Sequence, residues 1–136
     1  PYTTLFRSIN KKNNSMQLIA LYLMAAFYLF AGINHFWHAR FYTPLIPAYL
    51  AKWASPINII SGIAEIILAV GLLFDATRLW SVYGIILILI AFIPSHIWMI
   101  QKGHFKLGKI KITPMIAWLR LLIIHPLLIL WAWWVR

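Results

Sequence analysis

The stretch INIISGIAEIILAVGLLF, residues Ile57–Phe74, decides the fold, because it is an apolar run with a carboxylate, Glu65, in its middle. It is close to the ~20 residues with which a helix crosses the hydrocarbon core of a bilayer. An unpaired charge at that depth costs about 3 kcal/mol. Arg120, within MIAWLRLLIIHPLLILWAWW, is the only cation embedded in another apolar run. We therefore expect Glu65 and Arg120 to lie close together.

The composition predicts an integral membrane protein with a single all-α domain. Hydrophobic residues make up 63% of the chain and charged residues only 10%, whereas soluble domains are about 45–50% apolar. Each of four apolar stretches has a length near that of a spanning helix, and they lie at about Gln17–Phe36, Ile57–Phe74, Leu79–Ile100 and Pro114–Val135. A tight turn at Asp75–Arg78 is predicted to join the second stretch to the third. The expected architecture is an up-down-up-down four-helix bundle.

Cysteine chemistry is excluded by the residue content, and nucleic-acid binding by the placement of the positive charges. The chain has no cysteine, which rules out disulfides, thiolate nucleophiles and cysteine-ligated iron–sulfur clusters. Its net charge is +10, but the cations lie at the ends of the apolar stretches and in one short loop, QKGHFKLGKIKIT. In those places they face lipid headgroups. We therefore expect the lipid bilayer, and no nucleic acid, as a partner.

The first eight residues, PYTTLFRS (Pro1–Ser8), match the translation of a common short-read sequencing adapter. We interpret them as a sequencing-adapter scar, to be left out of fold reasoning. Residues 1–15 then form an N-terminal tail and residues 16–136 the membrane domain. The first apolar stretch is too long for the core of a signal peptide alone and lacks a cleavage motif, so we expect it to be a retained helix.

Five polar residues are predicted to gather in one half of the bundle. With a rise of about 1.5 Å per residue, Glu65 lies ~12 Å inside its helix, Arg120 ~9 Å and His125 ~16 Å from the same side of the membrane. His96 is ~6 Å inside the end of the third helix, and His35 is near the end of the first. The side chain that pairs with Glu65 could be either Arg120 or His125.

Small residues predict where the helices approach one another. Gly32 and Gly62 each belong to a stripe of small residues at helical spacing, which lets neighbouring backbones come close. Pro94 and Pro126 interrupt the helical hydrogen-bond ladder and can free carbonyl groups toward the interior. Gly32, Gly62 and Pro94 are therefore the candidate helix-packing residues.

Several interpretations of the polar cluster remain open at this level. A Glu65–Arg120 pair can fix the register of the helices without doing chemistry. A polar pocket can bind a quinone or a similar amphipathic ligand, with His96 and Glu65 handling protons and aromatic residues such as Trp98, Tyr28 and Trp37 around the ring. A haem or metal site would use histidines, but the only closely spaced pair, His35 and His38, has no second pair facing it. A path for protons or a small solute is the fourth interpretation.

Four strings of the sequence resemble the DoxX family of small four-helix membrane proteins: AGINHFWHARFYTPLIPAYL, SGIAEIILAVGLLFDATRLW, IAFIPSHIWMI and WLRLLIIHPLLILWAWW. The resemblance covers about Leu23–Trp134. The matching motif residues are Gly32, His35, Phe36, Gly62, Glu65, Pro94, Leu119 and Arg120. This chain departs from the family pattern at His96, where a small polar residue is usual, and near His125, where a Gln is common.

The resemblance implies a multi-pass protein of the bacterial cytoplasmic membrane that works beside a redox protein. Founding members of that family are subunits of a thiosulfate:quinone oxidoreductase, and others are linked to oxidative-stress complexes. We therefore expect an accessory subunit of a quinone-linked system that is not catalytic alone. The alternatives are a small-solute or proton permease and a purely structural scaffold subunit.

Orientation and assembly remain open. Positive charges favour the cytoplasm for the loops after the first and third helices, whereas the resemblance implies a cytoplasmic N-terminus. Small membrane chains often assemble, so a homo-oligomer is among the expected partners.

Overall fold

A computed structural model describes residues 2–136, with side chains from residue 14 onward. The predicted adapter-derived segment, and nearly all of the predicted tail, lie outside the described side chains. Four stretches of the described residues are long and apolar enough to cross a membrane: Asn14–Trp37, Ala48–Leu72, Asp75–Lys102 and Pro114–Trp134. The prediction of an all-α class with four helices that could span a membrane is therefore confirmed.

Helix α1 (Tyr2–Trp37) packs along helix α3 (Ala54–Leu72). The two backbones nearly touch where Gly32 faces Gly62, because a Cβ added to Gly32 would lie 2.8 Å from the Gly62 carbonyl oxygen. The buried stripe of α3 has helical spacing and consists of Asn58, Gly62, Glu65, Ala69 and Leu72. Gly32 and Gly62 are thus the point at which these helices cross.

The connection between α3 and helix α4 (Asp75–Ala91) is shorter than predicted. The predicted turn at Asp75–Arg78 is wrong, since these residues form the first turn of α4. Their side chains hold the end of α3 instead. The Thr77 hydroxyl donates to the Gly71 carbonyl at 2.8 Å, and Arg78 Nε donates to the Leu72 carbonyl at 3.2 Å. The last carbonyls of α3, which lack partners within the helix, are satisfied in this way.

The third predicted helix is broken near Phe92. After α4, helix α5 (Ile93–Lys102) begins with Pro94 in its first turn. Proline has no backbone N–H and ends a preceding helix, which accounts for the break. Pro94 is exposed, so within this chain it acts on the backbone and not through a buried side-chain contact.

Short elements gather where α1 and α5 end. Helix α2 (Ala39–Tyr42) and two 3₁₀ turns, Thr43–Leu45 and Ala48–Trp53, lead into α3. The start of α3 at Ala54 is therefore earlier than predicted.

The basic loop after α5 contains a β-hairpin that the sequence analysis did not predict. Strands β1 (Phe105–Leu107) and β2 (Ile110–Ile112) pair in antiparallel register. Gly108 opens the two-residue turn with φ 59°, a conformation that glycine adopts without strain. Leu107 and Ile112 are buried in a small apolar cluster with Met99 and Ala117.

The fourth span combines three helical segments: helix α6 (Pro114–Leu119), a π-helical turn (Arg120–Ile124) and helix α7 (His125–Trp134). The Thr113 hydroxyl caps α6 by accepting from the Ile116 N–H at 3.3 Å. Helix α7 packs on α4 and also contacts α1, so the four spans form a closed bundle. Its main apolar core comprises Leu21, Met24, Ala25, Tyr28, Ala69, Leu72, Val82, Ile85, Leu89, Ala132 and Val135.

Candidate functional site

The carboxylate of Glu65 faces the imidazole of His35 across the crossing of α1 and α3. His35 Nε2 lies 3.5 Å from Glu65 Oε2, and the two side chains are only 7% and 5% exposed. The crossing at Gly32 and Gly62 is what brings them together, because each glycine is one turn away from one of the pair. Glu65 thus has a buried nitrogen partner, as expected for a carboxylate in an apolar span.

Asn58 fixes the orientation of the His35 ring. Its amide nitrogen donates to the backbone carbonyl of His35 at 2.9 Å, and its amide oxygen lies 2.8 Å from His35 Nδ1. The amide therefore bonds to both the backbone and the ring of the same residue. Asn58 is itself only 3% exposed, so these bonds do not compete with water.

A second set of polar contacts covers the other face of His35. The Tyr42 ring stacks on the imidazole, with ring centroids 3.8 Å apart and planes at 23°. The Tyr42 hydroxyl accepts from the Asn34 amide at 2.8 Å, and Asn34 Oδ1 lies 2.6 Å from Nδ1 of His38. His38 is exposed, so these contacts connect the buried pair with the surface of the bundle at the end of α1.

The remaining two histidines of the predicted cluster form a separate buried pair. His96 Nε2 lies 3.1 Å from His125 Nδ1, and His125 Nε2 lies against the carbonyl oxygen of Leu89 at 2.5 Å. His96 and His125 are 4% and 5% exposed. Leu89 lies three residues before Phe92, at the break between α4 and α5, and its carbonyl also accepts from the Phe92 N–H at 3.2 Å.

Arg120 links the two pairs through electrostatic interaction and not through direct contact. Its guanidinium interacts electrostatically with Glu65, Tyr42 and His96. Within the described part of the chain, however, Arg120 forms no direct ion pair or hydrogen bond, and it is exposed. The expectation of a Glu65–Arg120 contact pair is therefore wrong. His35 occupies that position because the α1–α3 crossing is tighter than any approach of the fourth span to α3.

Among the side chains that the structure describes, four buried polar atoms have no hydrogen-bond partner: Tyr28 Oη, Glu65 Oε2, His96 Nδ1 and Trp98 Nε1. Glu65 Oε2 belongs to this group because its contact with His35 does not have hydrogen-bond geometry. Tyr28 lies near Glu65, since the two interact electrostatically. Buried polar atoms are normally satisfied, so this concentration in and beside the predicted cluster marks it as the candidate site.

The predicted aromatic and metal-binding roles are only partly compatible with this arrangement. Trp37 is 74% exposed, so it does not share a face with Tyr28. His38 bonds to Asn34 and His35 to Asn58 and Glu65, so these two histidines point to different partners. Among the described residues, no group of three or more His, Asp or Glu side chains is arranged to hold a metal ion.

Sequence reasoning missed Asn58, Asn34 and Tyr42. Asn58 lies on the same face of α3 as Gly62 and Glu65, one turn earlier, and that spacing was the signal that could have found it. Tyr42 was assigned only to the interface, because its stacking on His35 depends on how α2 folds back beneath α1.

Comparison with known proteins places the chain in a family. The sequence model of DUF8561, described as a domain of unknown function, matches residues 24–136. The chain therefore belongs to this family. No curated protein and no solved structure matches it.

Proposed function

We propose that the protein is an accessory subunit of a quinone-linked redox system and that it binds the quinone headgroup at the cluster around Glu65 and Arg120. The observation that carries this proposal is that two buried acceptors have no hydrogen-bond partner, while Arg120, a cation without a direct partner among the described residues, interacts electrostatically with the residues of both. Those acceptors are Glu65 Oε2 and His96 Nδ1. The role beside a redox partner follows from the resemblance to the DoxX family.

A quinone headgroup supplies the complementary hydrogen-bonding groups. Its oxidised form carries two carbonyl oxygens, which accept, and its reduced form carries two hydroxyls, which can donate. Arg120 can only donate, whereas an ionised Glu65 and a neutral nitrogen of His96 can accept. Either redox form therefore finds partners at this cluster, and Tyr28, which interacts electrostatically with Glu65, supplies an aromatic side chain near it.

The surface of the bundle supports placement in a membrane, with the four helices running up, down, up and down. Large apolar side chains point outward on every span, including Phe30, Ile67, Leu87 and Leu130. Water would penalise such a surface, whereas lipid does not. At the C-terminal end, Arg136 lies over the Trp133 ring at 3.7 Å from its centroid, as in an interfacial aromatic belt. We assign the protein to the bacterial cytoplasmic membrane on the basis of the resemblance.

The test is direct titration of a short-chain quinone into protein reconstituted in lipid nanodiscs, with bound quinone quantified by mass spectrometry. We expect saturable binding, weakened roughly tenfold or more in Arg120→Gln, because a hydrogen bond from a charged donor contributes about 1.5–3 kcal/mol. Arg136→Gln is the matched control, since it removes an arginine from the end of the bundle and not from the cluster. Equal binding by both variants, or no saturable binding by the wild type, would overturn the proposal.

The permease alternative has its own measurement. Proteoliposomes loaded with a pH-sensitive dye report whether the protein conducts protons across the bilayer. We expect wild-type and Glu65→Gln vesicles to leak at the same rate. Proton flux that is present in the wild type and lost in Glu65→Gln would favour the permease over quinone binding.

A further inference from the structure

We infer that Glu65 and His35 together hold one additional proton, on either His35 Nε2 or Glu65 Oε2, and so form a proton-holding site inside the apolar span. The inference concerns the protein without a ligand, so it does not depend on quinone binding. It follows from the hydrogen-bond roles of Asn58, which require Nδ1 of His35 to carry a hydrogen.

The amide of Asn58 determines which nitrogen of His35 carries a hydrogen. The backbone carbonyl of His35 only accepts, so the group 2.9 Å from it must be the NH₂ end of Asn58. The oxygen end then lies 2.8 Å from His35 Nδ1. Because an amide oxygen only accepts, Nδ1 must carry the hydrogen and donate it.

The other ring nitrogen, Nε2, faces the Glu65 carboxylate, and this contact limits the charge states that the two groups can adopt. A neutral imidazole with its hydrogen on Nδ1 has a lone pair on Nε2, and that nitrogen lies 3.5 Å from Glu65 Oε2. A bare lone pair against an ionised oxygen is repulsive, and in an apolar interior the repulsion is poorly screened. One proton on either Nε2 or Oε2 removes the repulsion and produces an attractive contact.

The proton has two alternative positions, which correspond to two tautomeric states of the pair. With the proton on Nε2, the pair is an imidazolium and a carboxylate. When the Nε2–H bond breaks and an Oε2–H bond forms, the electron pair stays on Nε2 and both groups become neutral. The transfer leaves the net charge of the pair at zero, which lowers the cost of burying it.

The charged and titratable neighbours are compatible with a protonated pair. On α1, the Tyr28 hydroxyl lies near Glu65 without a hydrogen-bond partner. From α2, the Tyr42 ring stacks on His35 at 3.8 Å, a geometry that favours a cationic imidazole. From the fourth span, Arg120 interacts with Glu65 without contacting it, so it does not replace the proton as the direct partner.

Magic-angle-spinning NMR can locate this proton, because the chain has so few acidic residues that the signal of the Glu65 carboxyl group does not overlap with others. Asp and Glu together number two, and Glu65 is the only glutamate. Cell-free synthesis with ¹³C-glutamate and ¹⁵N-histidine, followed by reconstitution in phosphatidylcholine vesicles, gives a single side-chain carboxyl signal. We expect His35 with Nδ1 protonated, combined with either a protonated Nε2 and a carboxylate, or a bare Nε2 and a carboxylic acid.

Three variants assign the signals and test the cause. His35→Gln identifies the His35 resonances, and Asp75→Asn, the matched change at the other acid, leaves the Glu65 signal unchanged. In Asn58→Leu the ring is free to turn, so we expect the hydrogen on Nε2, a bare Nδ1 and an ionised Glu65. A wild-type spectrum with an ionised Glu65 beside a neutral His35, in either tautomer, would overturn the inference. That spectrum decides the question even if a variant fails to fold.

Discussion

Replacing Gly32 with alanine tests the geometry on which the whole site depends. A Cβ at this position would lie 2.7 Å from Ile66 Cγ1, 2.8 Å from the Gly62 carbonyl oxygen and 3.0 Å from the Ile66 backbone nitrogen. Two of these three atoms belong to the backbone of α3, so no change of side-chain rotamer relieves the clash. We therefore expect Gly32→Ala to push α1 and α3 apart.

The magnitude follows from the overlap. Carbon atoms pack best at about 3.5–4.0 Å, so the helices must separate by roughly 0.8 Å where the new Cβ meets Ile66. Overpacking of this kind costs about 1–3 kcal/mol. The same displacement lengthens the contact between His35 and Glu65, which is already 3.5 Å, so quinone binding should weaken together with stability.

Gly84→Ala provides the matched comparison. A Cβ there would lie 2.4 Å from Leu68 Cδ2, closer than any contact at Gly32, but the obstacle is the end of a flexible side chain. Leu68 is only half-buried and can move aside. Unfolding by sodium dodecyl sulfate in mixed micelles, followed by tryptophan fluorescence, gives the free energy of both variants. Equal stability of Gly32→Ala and the wild type, or a larger loss in Gly84→Ala, would refute the argument.

Three further predictions concern other parts of the bundle. Thr77→Val should destabilise the protein by about 0.5–1.5 kcal/mol, because the Gly71 carbonyl loses its side-chain hydrogen-bond donor; detergent unfolding measures this, with the half-buried Thr43→Val as control. His125→Phe should cost about 1–3 kcal/mol in the same assay, since His96 Nε2 and the Leu89 carbonyl lose their buried partner, whereas the exposed His104→Phe should cost far less. Lys106 and Lys111 lie directly opposite each other across the hairpin, a repulsive arrangement that an anionic headgroup relieves. Replacing both with Gln should weaken retention of anionic lipid by about 1 kcal/mol per lysine in native mass spectrometry, and unchanged retention would contradict this.

The sequence predicts the position of a residue along its own helix, but it does not predict which residues of neighbouring helices come into contact. Depth along the membrane follows from residue number, so the sequence placed Glu65, His35 and His96 in the same half of the bundle. Choosing the partner of Glu65 requires knowing which faces meet. Arg120 has a suitable depth but is exposed and makes no direct contact with Glu65, whereas the crossing at Gly32 brings His35 to the carboxylate.

The local departures from the sequence analysis have equally specific causes. The prolines predicted interruptions of the helical ladder, and α4 does end just before Pro94. The hairpin after α5 was missed although FKLGKIKI alternates apolar and basic residues around a glycine, which is the pattern of two short strands and a turn. The lysines of this segment also fit contacts with lipid headgroups, so its charge pattern favours a surface loop as much as a hairpin.

The two buried pairs offer a ligand different chemistry. The Leu89 carbonyl only accepts, so Nε2 of His125 must donate to it, which leaves Nδ1 of His125 to accept from Nε2 of His96. Nδ1 of a neutral His96 is then a fixed acceptor without a partner. The Glu65–His35 pair, in contrast, holds a proton that it can give up. A ligand that gains a hydroxyl on reduction can therefore receive a proton from the Glu65–His35 pair. The same ligand can donate a hydrogen bond to His96 of the other pair. Because Arg120 can only donate, its replacement should weaken binding of the oxidised quinone more strongly, whereas His96→Phe should weaken binding of the reduced form more strongly.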